Sequence, residues 1–257
     1  MPVPRTYDDL IAEAAAEPVA GWDFSWLDGR ATEERPSWGY SGLLRRAAGR
    51  ALAVLDVQTG GGEVLAGAVR EADRVPAVLA ATESWPPNAL LARRALAPLH
   101  GGVVRAADDG GLPFATGTFD LVVSRHPTVT VWPEIARVLA PGGTYLSQQV
   151  GPGTNRELTD FMVGPQPVHS GRSPRRAVAQ ATGAGLAVTD VREQALRVEF
   201  FDVGAVAYVL RKVLWTVPGF TVTGYAEPLA RMHAHIEANG SFVCYAQRFL
   251  IEARKPA

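Results

Sequence analysis

The chain is poor in several things, and each shortage excludes something. Cys244 is its one cysteine, so an internal disulfide, a zinc finger and a CxxC redox pair are ruled out, and a reducing interior suits it. Lys212 and Lys255 are its only lysines, so nearly all the positive charge is arginine, a compositional bias given no functional weight. Net charge is nearly absent too. The 25 basic residues offset all but one of the 26 acidic ones, leaving no global field to draw the protein onto a polyanion, and no nucleic-acid partner is expected. The opening residues, MPVPRTYDDL, show acids and prolines where a secretory signal carries an apolar core, and no stretch approaches the ~20 uninterrupted apolar residues of a membrane helix. A cytoplasmic protein without membrane association is the expectation.

What is present is the make-up of an ordinary globular fold. The 257 residues are 47% hydrophobic and 20% charged, far from the signature of disorder and enough to bury a core. Thr6 and Asp9 form a capping-box pattern ahead of a helix over 7–16, and a second helix is expected over Tyr40–Arg50. The short apolar runs ALAVLDV, PAVLAAT, GVVRAA, FDLVVS and TYLSQQV then alternate with helical patterns. The latter are GEVLAGAVREA, a stretch from about Pro86 to Ala97, and WPEIARVLA, which Pro141, Gly142 and Gly143 should stop. Strands alternating with helices predict an α/β protein with a parallel sheet covered on both faces.

The second half changes character. Residues 151–172 read as a long connection, which is more often functional than idle. Ser173 and Pro174 open a helix that Gly183 closes. LAVTDVREQALRVEFF reads as one long or two short strands, DVGAVAYVLRKVLW and YAEPLARMHAHIEANG as helices, and SFVCYAQRFLIEARK as a final strand.

The segment VLDVQTGGG carries the strongest chemical signal. A buried strand ends in Asp56, and Gly60, Gly61 and Gly62 lead straight into a helix, the geometry that brings backbone close to a ligand. The dinucleotide pattern GxGxxG fails because Leu65 stands where its third glycine belongs, and a P-loop fails for want of its Gly-Lys pair. Asp56 would repel a pyrophosphate but suits a ligand carrying an ammonium and a sulfonium. Glu83 ends the second strand 21 residues after Gly62, the separation expected of an acid that accepts from ribose hydroxyls. Asp108 and Asp109 follow the third strand, so acids stand at three strand ends.

VLDVQTGGGEVL, Glu83, DDGGLPFATGTFDLVV and EIARVLAPGGTYL, spanning roughly Ala51 to Val150, together resemble the class I S-adenosylmethionine-dependent methyltransferases, particularly their small-molecule and ubiquinone-type branch. The resemblance implies a Rossmann-like, doubly wound sheet of seven strands, mostly parallel with an antiparallel last strand. SFVCYAQRFLIEARK fits that last place. It implies an N-terminal helical and aromatic cap over 1–50 and, effectively as one domain with it, the methyltransferase domain over 51–257, with 151–183 and 202–240 on the substrate side. It assigns Asp56, Gly60 and Gly62 to the methionine part of S-adenosylmethionine, Glu83 to the ribose, Asp108 to the adenine and Asp109 a backbone amide. Gln58, Thr59 and Ser124 complete the expected cofactor-binding set, with Trp85 either stacking on adenine or anchoring a helix start. Gln58 departs from the family's GxGxG loop by replacing its first glycine, and so either crowds the cofactor or hydrogen-bonds to it.

The implied activity moves a methyl group to oxygen or nitrogen of a small, partly apolar acceptor, yields S-adenosylhomocysteine and needs no metal. Alternatives are a cofactor-binding module without transfer, an RNA methyltransferase, and a nicotinamide oxidoreductase. His126, in SRHP after the fourth strand, is either a general base near the cleft or a satisfied loop histidine. His169 is a weaker candidate, and His233 and His235 are spaced poorly for a metal. Trp22, Phe24, Trp26, Trp38 and Tyr40, with Phe200, Phe201, Tyr208, Trp215 and Phe220, either close over an apolar acceptor or fill a core. Gln148 and Gln149 either orient a substrate or end the sheet.

Overall fold

The computed structural model describes residues 5–19, 21 and 23–257, so Trp22 lies outside the described residues. Along the chain the first elements are α1 (Tyr7–Ala16), β1 (Ala31–Glu33), α2 (Tyr40–Ala48), β2 (Ala53–Asp56), α3 (Glu63–Arg70), β3 (Val78–Glu83), α4 (Pro86–Leu96), β4 (Gly102–Arg105) and β5 (Phe119–Arg125). There follow α5 (Trp132–Val138), β6 (Leu139–Val150), α6 (Arg156–Val163), α7 (Pro174–Gly183), β7 (Ala187–Phe200), α8 (Val203–Lys212), α9 (Ala226–Asn239) and β8 (Phe242–Arg254). The strands are ordered β1-β7-β8-β6-β5-β2-β3-β4. The fold is mixed α/β and Rossmann-like, with eight strands among the described residues rather than the expected seven. The extra one is β1, whose three residues pair antiparallel with the end of β7, Ala31 opposite Phe200, and are too few to show a period in the sequence.

By contacts the chain divides into two compact units. One comprises Pro36–Pro152, Ser170–Gln194 and Arg248–Ala257. In it β4, β3, β2, β5 and β6 run parallel in that order, and β8 closes the set antiparallel to β6, Thr144 opposite Arg254 through Val150 opposite Arg248. The alternation of side chains explains why the strands read as unbroken apolar runs. Val54, Leu121 and Val123 join Leu44 of α2 and Leu65 and Val69 of α3 in one layer. Leu55 and Val122 point the other way, into Trp132 and Ile135 of α5, Ala177 of α7 and Phe249. Buried on both faces, these strands have no polar side to show.

The other unit comprises Met1–Arg35, Gly153–His169 and Ala195–Gln247. Its helices α1, α6, α8 and α9 share a core that includes Leu10, Leu158, Met162, Leu210, Leu229 and Ile236. Thr6 and Asp9 form the expected capping box on α1. Residues 151–172 are not a plain connection, because they contain α6, whose Leu158 and Met162 are buried one turn apart. The glycines and prolines flanking that helix obscured its period. Among the aromatics, Phe200, Tyr208 and Phe220 are core residues, whereas Trp215 and Phe201 are exposed. Trp38 and Tyr40 are buried within the first unit, to which residues 36–50 belong.

Two local details also differ from expectation. The helix of WPEIARVLA ends at Val138, and the next strand starts at Leu139 and passes through Pro141, Gly142 and Gly143 instead of beginning after them. Leu139 already pairs with Phe119, and the register shifts before Leu121. A side chain at Gly143 would meet the Ala140 carbonyl at 2.9 Å, so only glycine lets the strand pass.

Gly62 sets the entry to α3. Its φ is +77°, and a Cβ there would stand 3.0 Å from the Ala92 Cα of α4. Both the left-handed conformation and the close approach of backbone require glycine. Gly62→Ala should therefore destabilise the chain by about 2 kcal/mol or more in urea unfolding, from backbone strain and displacement of α4.

Candidate functional site

Because β2, β3, β4 and β5 are parallel, they end on one edge. Asp56 lies opposite Ala81 and Val123, and Glu83 opposite Arg105. The residues that follow each strand are thereby gathered, and the sequence candidates Asp56, Gln58, Thr59, Gly60, Glu83, Asp108 and Ser124 stand at this edge.

Asp56 is 6% exposed and accepts a hydrogen bond from Thr59 Oγ1 at 2.7 Å. Burial pushes its carboxyl up to about 7; the Thr59 hydroxyl pulls the other way, while the charges of Glu63 and Glu83 add to the rise. Glu83 is buried as well, and each of its oxygens takes one backbone donor, Gly60 N and Trp85 N, both at 2.9 Å. Burial raises its pKa and these two N–H groups oppose the rise. A carboxylate oxygen accepts more than one hydrogen bond, so Glu83 keeps capacity for a ligand hydroxyl. Trp85 is 44% exposed at the start of α4, which leaves its indole face open for stacking.

Gln58 occupies the left-handed region with φ +59°, a conformation that costs a non-glycine residue free energy. Its side-chain amide spans to two other strand ends. Nε2 donates to the Val129 carbonyl at 2.7 Å and, more weakly, to the Asp108 carbonyl at 3.4 Å. Oε1 accepts from the Thr128 amide at 2.7 Å. Thr128 Oγ1 lies 2.7 Å from Asp108 Oδ2 and 3.0 Å from Gln58 Oε1, so its one proton serves either. The cavity beneath, lined among others by Val57, Gln58, Thr82, Ser124 and Tyr145, measures about 10 Å³, room for one water. Ser124 is fully buried and hydrogen-bonded to Tyr145 and Ser147 at 2.7 and 2.8 Å. Thr128 and Val129 were not singled out from sequence. Their partner lies some 70 residues away, and no local pattern signals such a contact.

His126 also has a positive φ, +54°. The Trp38 indole N–H donates to Gln148 Oε1 at 2.8 Å, which turns the Gln148 amide nitrogen toward His126 Nε2, 2.9 Å away. Nε2 must then accept, and the ring proton sits on Nδ1. Burial, with Arg125 and Arg248 nearby, holds the His126 pKa well below its usual value. The ring is thus neutral, with its Nε2 lone pair engaged by Gln148. Gln149 donates to Thr130 Oγ1 at 3.2 Å. Asp109 is exposed beside Asp108 in the turn after β4. His169 is exposed, and His233 and His235 pack against Tyr7 and Phe161 respectively. Among the described residues no cluster of three His, Cys, Asp or Glu could hold a metal ion, and no helix is long and apolar enough to cross a membrane.

Residues 55–147, the stretch holding all these strand ends, match the family model described as a methyltransferase domain. Over that stretch the chain is similar to methyltransferase domains. Solved structures share its fold. A Bacillus halodurans C-125 protein assigned as a methyltransferase aligns with TM-score 0.60 at 16% identity, over 86% of this chain and 99% of that one. An S-adenosylmethionine-dependent methyltransferase from Mesorhizobium loti aligns with TM-score 0.51 at 16% identity, over 85% and 97%. Geranyl diphosphate methyltransferase, solved with GPP and sinefungin, aligns with TM-score 0.52 at 16% identity, over 84% and 77%. No curated protein matches the sequence.

Two outcomes follow for these strand ends. Asp56 is protonated in the native state to a higher pH than in the unfolded chain, where its pKa is near 3.8. Its contribution to stability is thus present in full below pH ~4 and lost as pH rises through about 7, a change of up to about 4 kcal/mol. Asp56→Asn should flatten this slope and be more stable than wild type at pH 8 in chemical denaturation. Gln58→Ala should free the Thr128 amide, whose hydrogen exchange should accelerate by about tenfold or more.

Proposed function

We propose that the protein is an S-adenosylmethionine-dependent methyltransferase acting on oxygen or nitrogen of a small, partly apolar acceptor. The observation that carries this reading is the pair of buried carboxyl groups, Asp56 and Glu83, at adjacent strand ends beside the Gly60–Gly62 turn. Carboxyl groups in that position disfavour a phosphate and favour a cation. A buried acid with a pKa near 7 gains most from such a ligand, because a positive charge beside it restores the ionised form.

The residues present fit the cofactor, with Gln58 as the one obstruction. Asp56 would face its ammonium group, Glu83 its ribose hydroxyls, Trp85 and the Asp108–Asp109 turn its adenine. Gln58 is held only by hydrogen bonds, so its side chain can rotate away. When bound, the cofactor supplies a methyl group on a sulfonium whose charge is lost on transfer, which a desolvated pocket favours. The chain's own part is to align and exclude water. The Gln58 amide ties the 127–130 loop over the strand ends, and the Trp38–Gln148–His126 series fixes the loop's entry. His126, neutral and bonded, positions this wall. A second reading is favoured by Gln58 itself: a cofactor-binding module that does not transfer methyl groups, the amide keeping the cleft closed.

Calorimetry with S-adenosylmethionine tests the reading. Asp56→Ala and Glu83→Ala should each weaken binding by roughly a hundredfold, and unchanged affinity in both would overturn it. Binding near pH 6.5 should release a fraction of a proton from Asp56, read as a dependence of the heat on the buffer's ionisation enthalpy. His126→Gln should retain most of the turnover; a loss of a thousandfold would restore the base role. Tight binding with no turnover across a broad acceptor panel would favour the module.

A further inference from the structure

The segment from Pro127 to Trp132 has two sides. Pro127, Val129 and Thr130 line the small cavity beneath Gln58 and also a second, larger cavity of about 210 Å³ on the far side. A 150 Å³ cavity holds benzene, so this one has room for a single ring and a polar group. Its apolar lining includes Trp132 and Phe249, both buried. α7 and the residues just before it add Arg172, Ser173, Arg176, Ala177 and Gln180.

The charges on that lining are of one sign. Arg172 and Arg176 are the ionisable residues among it, and no acidic residue joins them. Neither guanidinium takes part in an ion pair among the described residues, whereas arginines 137, 156, 192, 197 and 231 each pair with a nearby carboxylate. Arg172 is oriented by a hydrogen bond from its Nη2 to the Thr128 carbonyl at 3.3 Å, which holds it at the cavity's rim. Guanidinium groups present several donors in a plane matched to a carboxylate or phosphate. The N-terminal end of the ten-residue α7 adds a positive potential at Ser173.

We propose that this cavity is an anion-binding subsite that holds the carboxylate or phosphate of a small molecule on Arg172 and Arg176, with the molecule's apolar body against Trp132 and Phe249. On the methyltransferase reading, that molecule is the acceptor, seated one loop away from the Gln58 cavity; the binding itself does not depend on that reading. The two guanidinium groups select against neutral acceptors of the same shape. Because both are exposed to water, the selection weakens as salt screens them.

Fluorine NMR on the full chain without cofactor tests this. The probes are 4-fluorophenylacetate, 4-fluorophenyl phosphate and, as the neutral control, 4-fluorobenzyl alcohol. At least one anion should bind about tenfold more tightly than the alcohol, and the tighter of the two identifies the anionic group. Raising sodium chloride from about 50 to about 300 mM should weaken that binding about threefold or more. The Arg172→Gln/Arg176→Gln double variant should lose about tenfold in anion affinity and leave alcohol binding unchanged, while Arg93→Gln on α4 changes neither. Equal binding of alcohol and anions, or indifference to salt in the wild type, would overturn the proposal, as would full anion affinity in the double variant. No step requires S-adenosylmethionine or turnover, so failure of the methyltransferase reading would be seen separately, in the calorimetry of the Asp56 and Glu83 variants.

Discussion

A carboxyl group at the buried end of a strand must either give up its charge or find a positive partner. Asp56 sits under this constraint, and the surrounding structure is arranged around it. Parallel pairing of β2 with β3 and β5 puts its neighbours at the same edge, so Glu83 and the loop after β5 cannot avoid it. The Thr59 hydroxyl is the donor beside it, and burial outweighs that single bond. The remaining deficit is an invitation to a cation, and it is larger than one hydrogen bond would offset. Glu83 meets the same constraint differently: two backbone N–H groups, from the glycine turn and from the start of α4, spread its cost and in return hold that turn in place.

Gln58 shows how a side chain substitutes for a glycine's freedom. It takes up a left-handed conformation that glycine adopts without strain, and offsets the cost with an amide whose two ends are both used. The consequence reaches beyond the loop. The Gln58 partners Thr128 and Val129 both line the outer cavity, and Val129 lines the inner one as well.

Much of this was legible from local pattern, because local physics produced it. The capping box at Thr6 and Asp9, the Ser173 N-cap with Pro174, and the apolar runs of β2, β3 and β5 each arise from neighbours in sequence, and each was found where expected. The acids at strand ends were legible because a strand's end fixes its last side chain. What stayed hidden depends on residues far apart. β1 is three residues long and exists by pairing with β7, α6 is masked by flanking glycines and prolines, and the amide of Gln58 meets partners 70 residues on. His126 illustrates the remaining difficulty. Its position after β5 was legible, but its tautomer is decided by Trp38, 88 residues earlier, acting through Gln148.

That last contact bears on what kind of acceptor the site can serve. A tryptophan N–H can only donate, so it fixes the Gln148 amide, and the amide fixes the tautomer of His126 with its lone pair engaged. No other imidazole lies in the β5–α5 loop, and the nearby hydroxyls of Ser124 and Tyr145 are committed to each other; burial holds the Tyr145 pKa above its usual value. On the function proposed above, neither His126 nor these hydroxyls would take a proton from the acceptor before transfer. Under that reading the site would suit a nucleophile that already carries a free lone pair or a negative charge at neutral pH, an amine or an ionised oxygen, and would leave to binding geometry the work that a base otherwise does. The proposed anion subsite on Arg172 and Arg176 would then orient such an acceptor by a charged group away from the reacting atom, a geometric aid that needs no proton transfer.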